Sequence, residues 1–263
     1  MTKLSLSKAW DETRDEMARD GKLIATVALA MFFLPGVILG VLEPNAGPIP
    51  TTGKEALVST LVALIALVGQ LAIIRMALGA RSTVGDAIRH GARRVPAYLL
   101  ASLLWAGPLA IAGYLNGSQV WRAPQDASGV QVVAALVIIL ALLIVGIRMM
   151  MTSSVASAEN VNPLEIVRRS WQLTSGHWWK LFGLLCIVLL LTIVVMAAVG
   201  AIIGIAGGLL FDPIEPMTIG ALFIAVCTQL VSAIFTTGLL IMLARIYAQL
   251  SGRASVSVPS SGT

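Results

Sequence analysis

Charged residues are scarce in this sequence. Asp, Glu, Lys and Arg make up only 12% of the 263 residues, about half the usual share of a soluble domain, whereas 57% of the residues are hydrophobic. A soluble core of this length could not bury so much apolar surface. The composition therefore excludes a soluble globular protein and indicates a membrane protein.

Cysteine and histidine are also rare, with two residues of each type. Cys186 and Cys227 lie inside apolar stretches, where a thiol behaves as a small hydrophobic group, so they predict neither a disulfide framework nor a metal site. His90 and His177 are far apart and have no companion ligands nearby in sequence. The chain also lacks a glycine-rich phosphate loop and a nucleophile elbow. We therefore expect no cofactor, no metal and no enzymatic activity.

Apolar residues occur in six blocks, each long enough to cross about 30 Å of hydrocarbon as a helix. The blocks are Leu23–Leu42, Ala56–Ala80, Val95–Leu115, Val130–Met151, Trp178–Leu210 and Met217–Leu250. They predict an all-α polytopic membrane protein with six transmembrane helices. We expect Pro35-Gly36 and Pro108 to kink the first and third spans, and a break between Gly200 and Gly208 in the long fifth block.

The basic residues lie mostly on one side of the predicted membrane. Sixteen of the 18 Lys and Arg fall in the N-terminal segment, two alternate loops with their flanking span ends, and the C-terminal end, while Lys54 and Arg122 lie in the opposite loops. This asymmetry predicts that both termini are cytoplasmic. It also explains the net charge of +5 without nucleic acid, and we expect the bacterial inner membrane as the location.

Three cytoplasmic segments resemble one another when they are aligned at offsets of 78 and 79 residues. They start at the potential helix caps Ser5, Thr83 and Asn162. Apolar residues recur in each at helical spacing: Leu6, Trp10 and Met17; Val84, Ile88 and Val95; Leu164, Val167 and Trp171. Two spans follow each segment, so the pattern predicts three cytoplasmic interfacial amphipathic helices in a three-fold internal repeat.

The repeat predicts a single membrane domain over residues 1–250. Its units are residues 5–80, 83–151 and 162–250, and residues 251–263 are expected to form a disordered cytoplasmic tail. An alternative is that six-span proteins with basic inner loops show such similarities by coincidence.

Each repeat unit approaches the cytoplasm with an arginine: Arg75, Arg148 or Arg245. We expect these side chains to reach the interface or to pair with Asp86, Glu159 or Glu165, with a transport role as the less favoured alternative. The other candidate lipid-contact or interfacial residues are Trp10, Arg89, Arg168, Arg169, Trp171, Trp178, Trp179 and Lys180.

Gly200, Gly204 and Gly208 recur every four residues in the fifth block. Such a face of small residues predicts close helix packing, either within the chain or with a second copy.

The stretch from Met151 to Leu185 resembles the hallmark of the glycerophosphoryl diester phosphodiesterase membrane domain family and of similar YciC-type inner-membrane proteins. The matching positions are Glu159, Pro163, Leu164, Glu165, Arg169, Ser170, Trp171, Leu173, Thr174, Gly176, Trp178 and Trp179. In two-part members the phosphodiesterase activity belongs to a separate soluble barrel. The resemblance therefore implies a membrane domain without the enzymatic part.

These observations predict a non-enzymatic inner-membrane protein that binds lipids or a membrane-protein partner. Basic residues beside apolar stripes suit a surface that contacts anionic lipid. The first alternative is a small transporter or lipid-translocating protein, indicated by kinked spans and internal symmetry. A membrane-embedded phosphodiesterase is the second.

Overall fold

The computed structural model describes residues 4–44, 52–79, 83–122, 128–211 and 215–252, with the backbone only for residues 116–122. Within these ranges the chain forms helices and no β-strand. Residues 253–263 of the predicted tail lie outside the described part of the chain. Three of the basic residues that indicate the orientation in the membrane also lie outside it: Lys3, Arg81 and Arg253.

Six helical segments are long and apolar enough to cross a membrane: Leu6–Leu42, Gly53–Ala77, Val84–Leu115, Gly129–Ala158, Trp178–Leu210 and Ile219–Leu250. All six predicted blocks are thereby found in order. The α-helices are α1 (Leu6–Ala28), α2 (Leu34–Leu42), α3 (Gly53–Ala77), α4 (Val84–Arg122), α5 (Gly129–Arg148), α6 (Thr152–Ala158), α7 (Pro163–Thr174), α8 (Trp178–Leu210) and α9 (Ile219–Leu250).

The first span is interrupted where its proline predicts a disturbance. A π-helical turn, Leu29–Phe33, separates α1 from α2, which has Pro35 in its first turn. Proline lacks the N–H that would bond to the carbonyl four residues earlier, so the regular hydrogen-bond pattern cannot continue through it. The helix α4 contains Pro96 and Pro108 and remains one continuous element.

The expected break in the fifth span is wrong, because α8 runs as one helix through Gly200, Gly204 and Gly208. Glycine keeps its backbone N–H, so the helical hydrogen bonds remain intact. In hydrocarbon, each backbone group without a hydrogen-bond partner would cost several kcal/mol, so a break in the helix would be unfavourable.

Only the third amphipathic segment forms a separate helix, α7. The first two continue directly into spans as the N-terminal parts of α1 and α4. Ser5 Oγ accepts from Lys8 N at 3.4 Å and Thr83 Oγ1 accepts from Asp86 N at 3.2 Å, as predicted for caps. Asn162 makes no such side-chain bond, and Pro163 follows it at the start of the helix, where its missing N–H leaves one fewer donor without a partner.

When the three segments are aligned at offsets of 78 and 79 residues, the same positions are buried in each. Ala9, Ala87 and Ile166 are buried at one position. One turn later the buried residues are Thr13, Gly91 and Ser170, all of them small. The inward face of each segment is therefore a row of small or apolar side chains, as close helix packing requires.

The tightly packed core lies at the end of the bundle that carries the amphipathic segments. Buried residues concentrate in the last parts of α3 and α9, in α6, and in the first turns of α8. Farther along, α5 and α8 expose apolar side chains on most of their surface. Such surfaces suit hydrocarbon and need no further protein cover.

Gly91→Ala should destabilise the protein although alanine favours helix. A Cβ at Gly91 would lie 2.5 Å from the backbone oxygen of Val68, so α4 would have to move away from α3. We expect a loss of about 1–3 kcal/mol, measured as a lower thermal midpoint in detergent. In the control Gly146→Ala, nothing lies within 4 Å of the added atom, so stability should stay level or rise. Equal midpoints for the two variants would contradict the close packing.

Candidate functional site

The arginines that end the second spans of the three units all meet an amphipathic segment of another unit. We call this set of contacts the arginine collar. It consists of Arg75 with His90, Arg148 with Trp171, and Arg245 with Glu16.

Arg245 reaches a carboxylate that is almost completely buried. Glu16 on α1 is 2% exposed and accepts a hydrogen bond from Arg245 NH2 of α9. Both Glu16 oxygens also lie 2.8 Å from Arg19 NH2, one turn farther along α1. One buried carboxylate therefore neutralises part of the charge of two guanidinium groups, and it attaches the start of the chain to the last span.

Arg75 lies beside His90 at the start of α4. The Nε2 atom of His90 is 2.9 Å from the carbonyl oxygen of Ser157 and 3.4 Å from Arg75 NH1. A carbonyl oxygen only accepts, so the Ser157 contact requires the proton on Nε2, and that nitrogen then has no lone pair for Arg75. Arg75 thus keeps donors available at this position.

Arg148 at the end of α5 is covered by α7. The guanidinium carbon lies 5.1 Å from the centroid of the Trp171 ring, a cation–π contact. The backbone carbonyl of Arg148 accepts from Ser170 Oγ at 2.9 Å and from Thr174 Oγ1 at 3.2 Å. These hydroxyls bond to a carbonyl at the end of α5, where the helix itself offers no partner.

The three contacts follow one cyclic order. The segment in α1 packs on α9, the segment in α4 packs on α3, and α7 packs on α4 and α6 and also contacts the end of α5. Each segment therefore contacts the second span of the preceding unit, and the first unit contacts the last. This order is the one that a ring of three repeated units produces.

The predicted carboxylate partners of the three arginines are wrong. Their contacts in the described part of the chain are Glu16, His90 and Trp171 rather than Asp86, Glu159 or Glu165. Glu159 instead accepts from Tyr247 at 2.6 Å and lies 3.5 Å from Arg169. The sequence did not indicate Glu16 as the partner of Arg245, because the two residues are 229 positions apart in the chain.

Arg94 is a further interface residue that the sequence analysis did not single out. Its Nε donates to the carbonyl of Ala156 at 2.8 Å, NH1 donates to Asn160 Oδ1 at 2.7 Å, and NH2 donates to the carbonyl of Glu159. It holds the end of α6, a helix made of small residues, against α4. The adjacent Ser157 Oγ donates to the carbonyl of Leu71 at 2.8 Å, which adds α3 to the same junction.

The remaining aromatic candidates divide between surface and packing. Trp10 and Trp179 are 57% and 76% exposed, and Trp171 is also exposed on one side. Trp178 stacks on Phe182 with ring centroids 5.2 Å apart. Lys180 Nζ donates to the carbonyl of Leu4 at 2.9 Å, so it holds the start of the chain.

The exposed cations leave a surplus of positive charge around the collar. Arg89 and Arg168 are exposed, and within the described ranges neither they nor Arg75 and Arg148 have a carboxylate within 4 Å. The chemistry that this arrangement supports is binding of anionic groups at a membrane surface.

The predicted packing face of Gly200, Gly204 and Gly208 receives no neighbour in the described structure. Nothing lies within 4 Å of a Cβ added at any of the three. The face is therefore not used for packing within the described chain, because the contacts of α8 lie mainly at its other end, around Leu181 and Leu184.

A family model matches residues 14–250, which include the whole collar and all six spans except the first eight residues of α1. The chain belongs to this family, described as a domain of unknown function, DUF7847. The family match thus covers the repeat units rather than one local motif. No curated protein and no solved structure matches the chain.

Glu16→Gln should weaken the closure of the collar. The substitution leaves Arg245 buried without its anion, and breaking a buried ion pair in this way costs about 3 kcal/mol. Denaturant titration in detergent should show this loss of unfolding free energy. The exposed neighbour provides the control, since Asp15→Asn should change it by less than about 0.5 kcal/mol.

The double variant Glu16→Gln, Arg245→Gln measures the interaction between the two side chains apart from their interactions with other residues. Its loss should be smaller than the sum of the two single losses, because the first substitution already removes the interaction. Strict additivity would show that Glu16 and Arg245 do not stabilise each other.

Proposed function

We propose that this chain is a non-enzymatic protein of the bacterial inner membrane whose exposed arginines around the arginine collar bind anionic lipid head groups. The observation that carries the proposal is the orientation of the amphipathic segments. Their small residues pack inward, while Trp10 (57% exposed) and Leu164 (68% exposed) point away from the bundle. Exposed apolar groups next to unpaired arginines match the boundary between hydrocarbon and anionic head groups.

The exposed arginines supply the electrostatic part of this binding. A basic residue near an anionic membrane surface contributes about 1 kcal/mol. Arg89 on α4 and Arg168 on α7 belong to two different repeat units, so the attraction acts at more than one position around the collar. Trp179 adds an amphipathic ring of the kind that anchors spans at this depth.

The proposed orientation places the collar and both termini in the cytoplasm, on the basis of the charge asymmetry. A green fluorescent protein fused after Thr263 should fluoresce, because it stays in the cytoplasm. Alkaline phosphatase inserted between Pro44 and Thr52 should be active, because it is exported. The opposite pair of results would reverse the orientation.

The relation to the glycerophosphoryl diester phosphodiesterase membrane domains is also part of this proposal. It is supported by the contacts of the resembling stretch. Ser170, Trp171 and Thr174 of the shared pattern all contact Arg148, and Glu159 contacts Arg169. A role in holding the collar together would explain these residue types without any hydrolytic function.

Lipid analysis of the protein in native-lipid polymer discs tests the proposal. The unmodified chain should enrich anionic phospholipid, and the double variant Arg89→Gln, Arg168→Gln should lower this enrichment about tenfold or more. The charge-retaining control Arg89→Lys, Arg168→Lys should keep most of it.

Two results would contradict lipid binding by the collar. Equal enrichment in the Gln and Lys variants would show that the charges are not involved. A stoichiometric membrane-protein partner that occupies the collar would make the chain an accessory subunit instead.

A small transporter or lipid-translocating protein is the second candidate. It is favoured by the π-helical turn in the first span, together with Gln229 of α9. A Cβ added at Gly36 would lie 2.5 Å from Gln229 Oε1, so a polar side chain packs directly on the irregular part of this span. Irregular helix next to a polar group is a frequent feature of transport sites. Flux of a fluorescent phospholipid in liposomes would favour this candidate.

A further inference from the structure

An apolar groove lies between the first span and α3. Its volume is about 570 Å³. One wall is formed by first-span residues from Ala30 to Ile38, and the other by Val62, Ile65 and Val68 of α3. All of these side chains are apolar, so the groove suits hydrocarbon rather than a polar ligand.

The groove follows from the irregular backbone of the first span. The two helices touch closely at Gly69, where an added Cβ would lie 2.5 Å from Met31 Cβ. This contact lies inside the π-helical turn, and Pro35 follows in the first turn of α2, so the groove borders the irregular part of the first span. The α3 residues that line the groove lie on the side of Gly69 that faces away from the collar.

The charges on the two wall helices differ between their ends. Toward the collar, the first charged residue is Lys22 on α1 and Arg75 on α3, both basic. Toward the opposite end, the first charged residue is Glu43 after α2 and Glu55 on α3, both acidic. A ligand with an apolar tail and an anionic head would therefore place its head at the collar end.

The distances suit a phospholipid. Lys22 precedes Ala30 by eight residues, about 12 Å along a helix, and Arg75 follows Val68 by seven, about 10 Å. Half of the hydrocarbon core is about 15 Å thick. A head group at the level of Lys22 would thus extend its acyl chain into the near half of the groove, past Ala30.

An exposed row of side chains connects the proposed head-group level near Lys22 with the groove at Ala30. Arg19, Leu23 and Thr26 recur at spacings of four and three residues, which places them on one face of α1, and Ala30 follows four residues later in the π-helical turn; all are exposed. This face leads from the collar directly to the mouth of the groove.

We propose that the groove binds one acyl chain of an anionic phospholipid from the leaflet on the collar side, with its head group near Lys22 and Arg75. The inference rests on the proposed lipid-binding function and deepens it. It adds one defined site, at the π-helical turn, to the general attraction of the collar for anionic lipids.

Filling the groove tests the proposal. The protein is reconstituted in nanodiscs of equal parts phosphatidylglycerol and phosphatidylcholine, transferred to detergent, and analysed by native mass spectrometry. We expect one retained phosphatidylglycerol. Ala30→Phe should reduce its retention about tenfold, the loss expected when two methylene groups are no longer buried. The same change on the exposed face of α8, Ala198→Phe, should leave retention unchanged.

Two further variants complete the test. Val62→Phe fills the groove from the other wall, so the result does not depend on the folding of Ala30→Phe. Lys22→Gln should leave a lipid bound but lower the preference for phosphatidylglycerol over phosphatidylcholine. An unchanged preference would remove the head-group part of the proposal.

The proposal is wrong if the unmodified protein retains no lipid, if both groove-filling variants retain it fully, or if a second copy of the chain is retained instead. The collar can be judged separately. Loss of enrichment in Arg89→Gln, Arg168→Gln, with no effect of Ala30→Phe, would refute the groove alone. The reverse result would refute the collar and leave the groove.

Discussion

The ion pair between Glu16 and Arg245 closes the structure, since it joins the first helix of the chain to the last. A charged side chain near a membrane is costly unless it is paired or reaches water. Arg245 is paired through Glu16, and Arg148 is covered by Trp171. The amphipathic segments must therefore lie across the ends of the second spans, and this requirement determines the order of the helices around the collar.

The small inward residues make this arrangement possible. Gly91 lies directly against the backbone of Val68, and Ser170 bonds to the carbonyl of Arg148. Close approach at these positions requires small side chains, and the larger Trp10 and Leu164 lie on the exposed side of their segments. The same packing that closes the collar thus exposes aromatic and aliphatic groups beside cations. Structural closure and the proposed lipid-binding surface have one physical origin.

The irregular first span has a comparable double effect. Pro35 and the π-helical turn interrupt the helix, and the apolar groove lies beside this interruption, against α3. In α8, three glycines cause no such interruption, because they retain every backbone N–H. A missing donor accompanies the irregular turn of the first span, although α4 continues through Pro96 and Pro108. Added flexibility alone does not break a helix when the surroundings offer no other hydrogen-bond partner.

The sequence by itself determined the membrane class, the six spans and the caps at Ser5 and Thr83. These features depend on local composition and spacing, which act within a few residues. Only the tertiary structure decided that Glu16 pairs with Arg245, that Arg94 holds the end of α6, and that Trp10 and Leu164 of the apolar stripes are exposed whereas Val95 is buried. Each of these depends on which helices become neighbours. Contacts between residues far apart in the chain follow from the packing of whole helices, and local spacing carries no record of it.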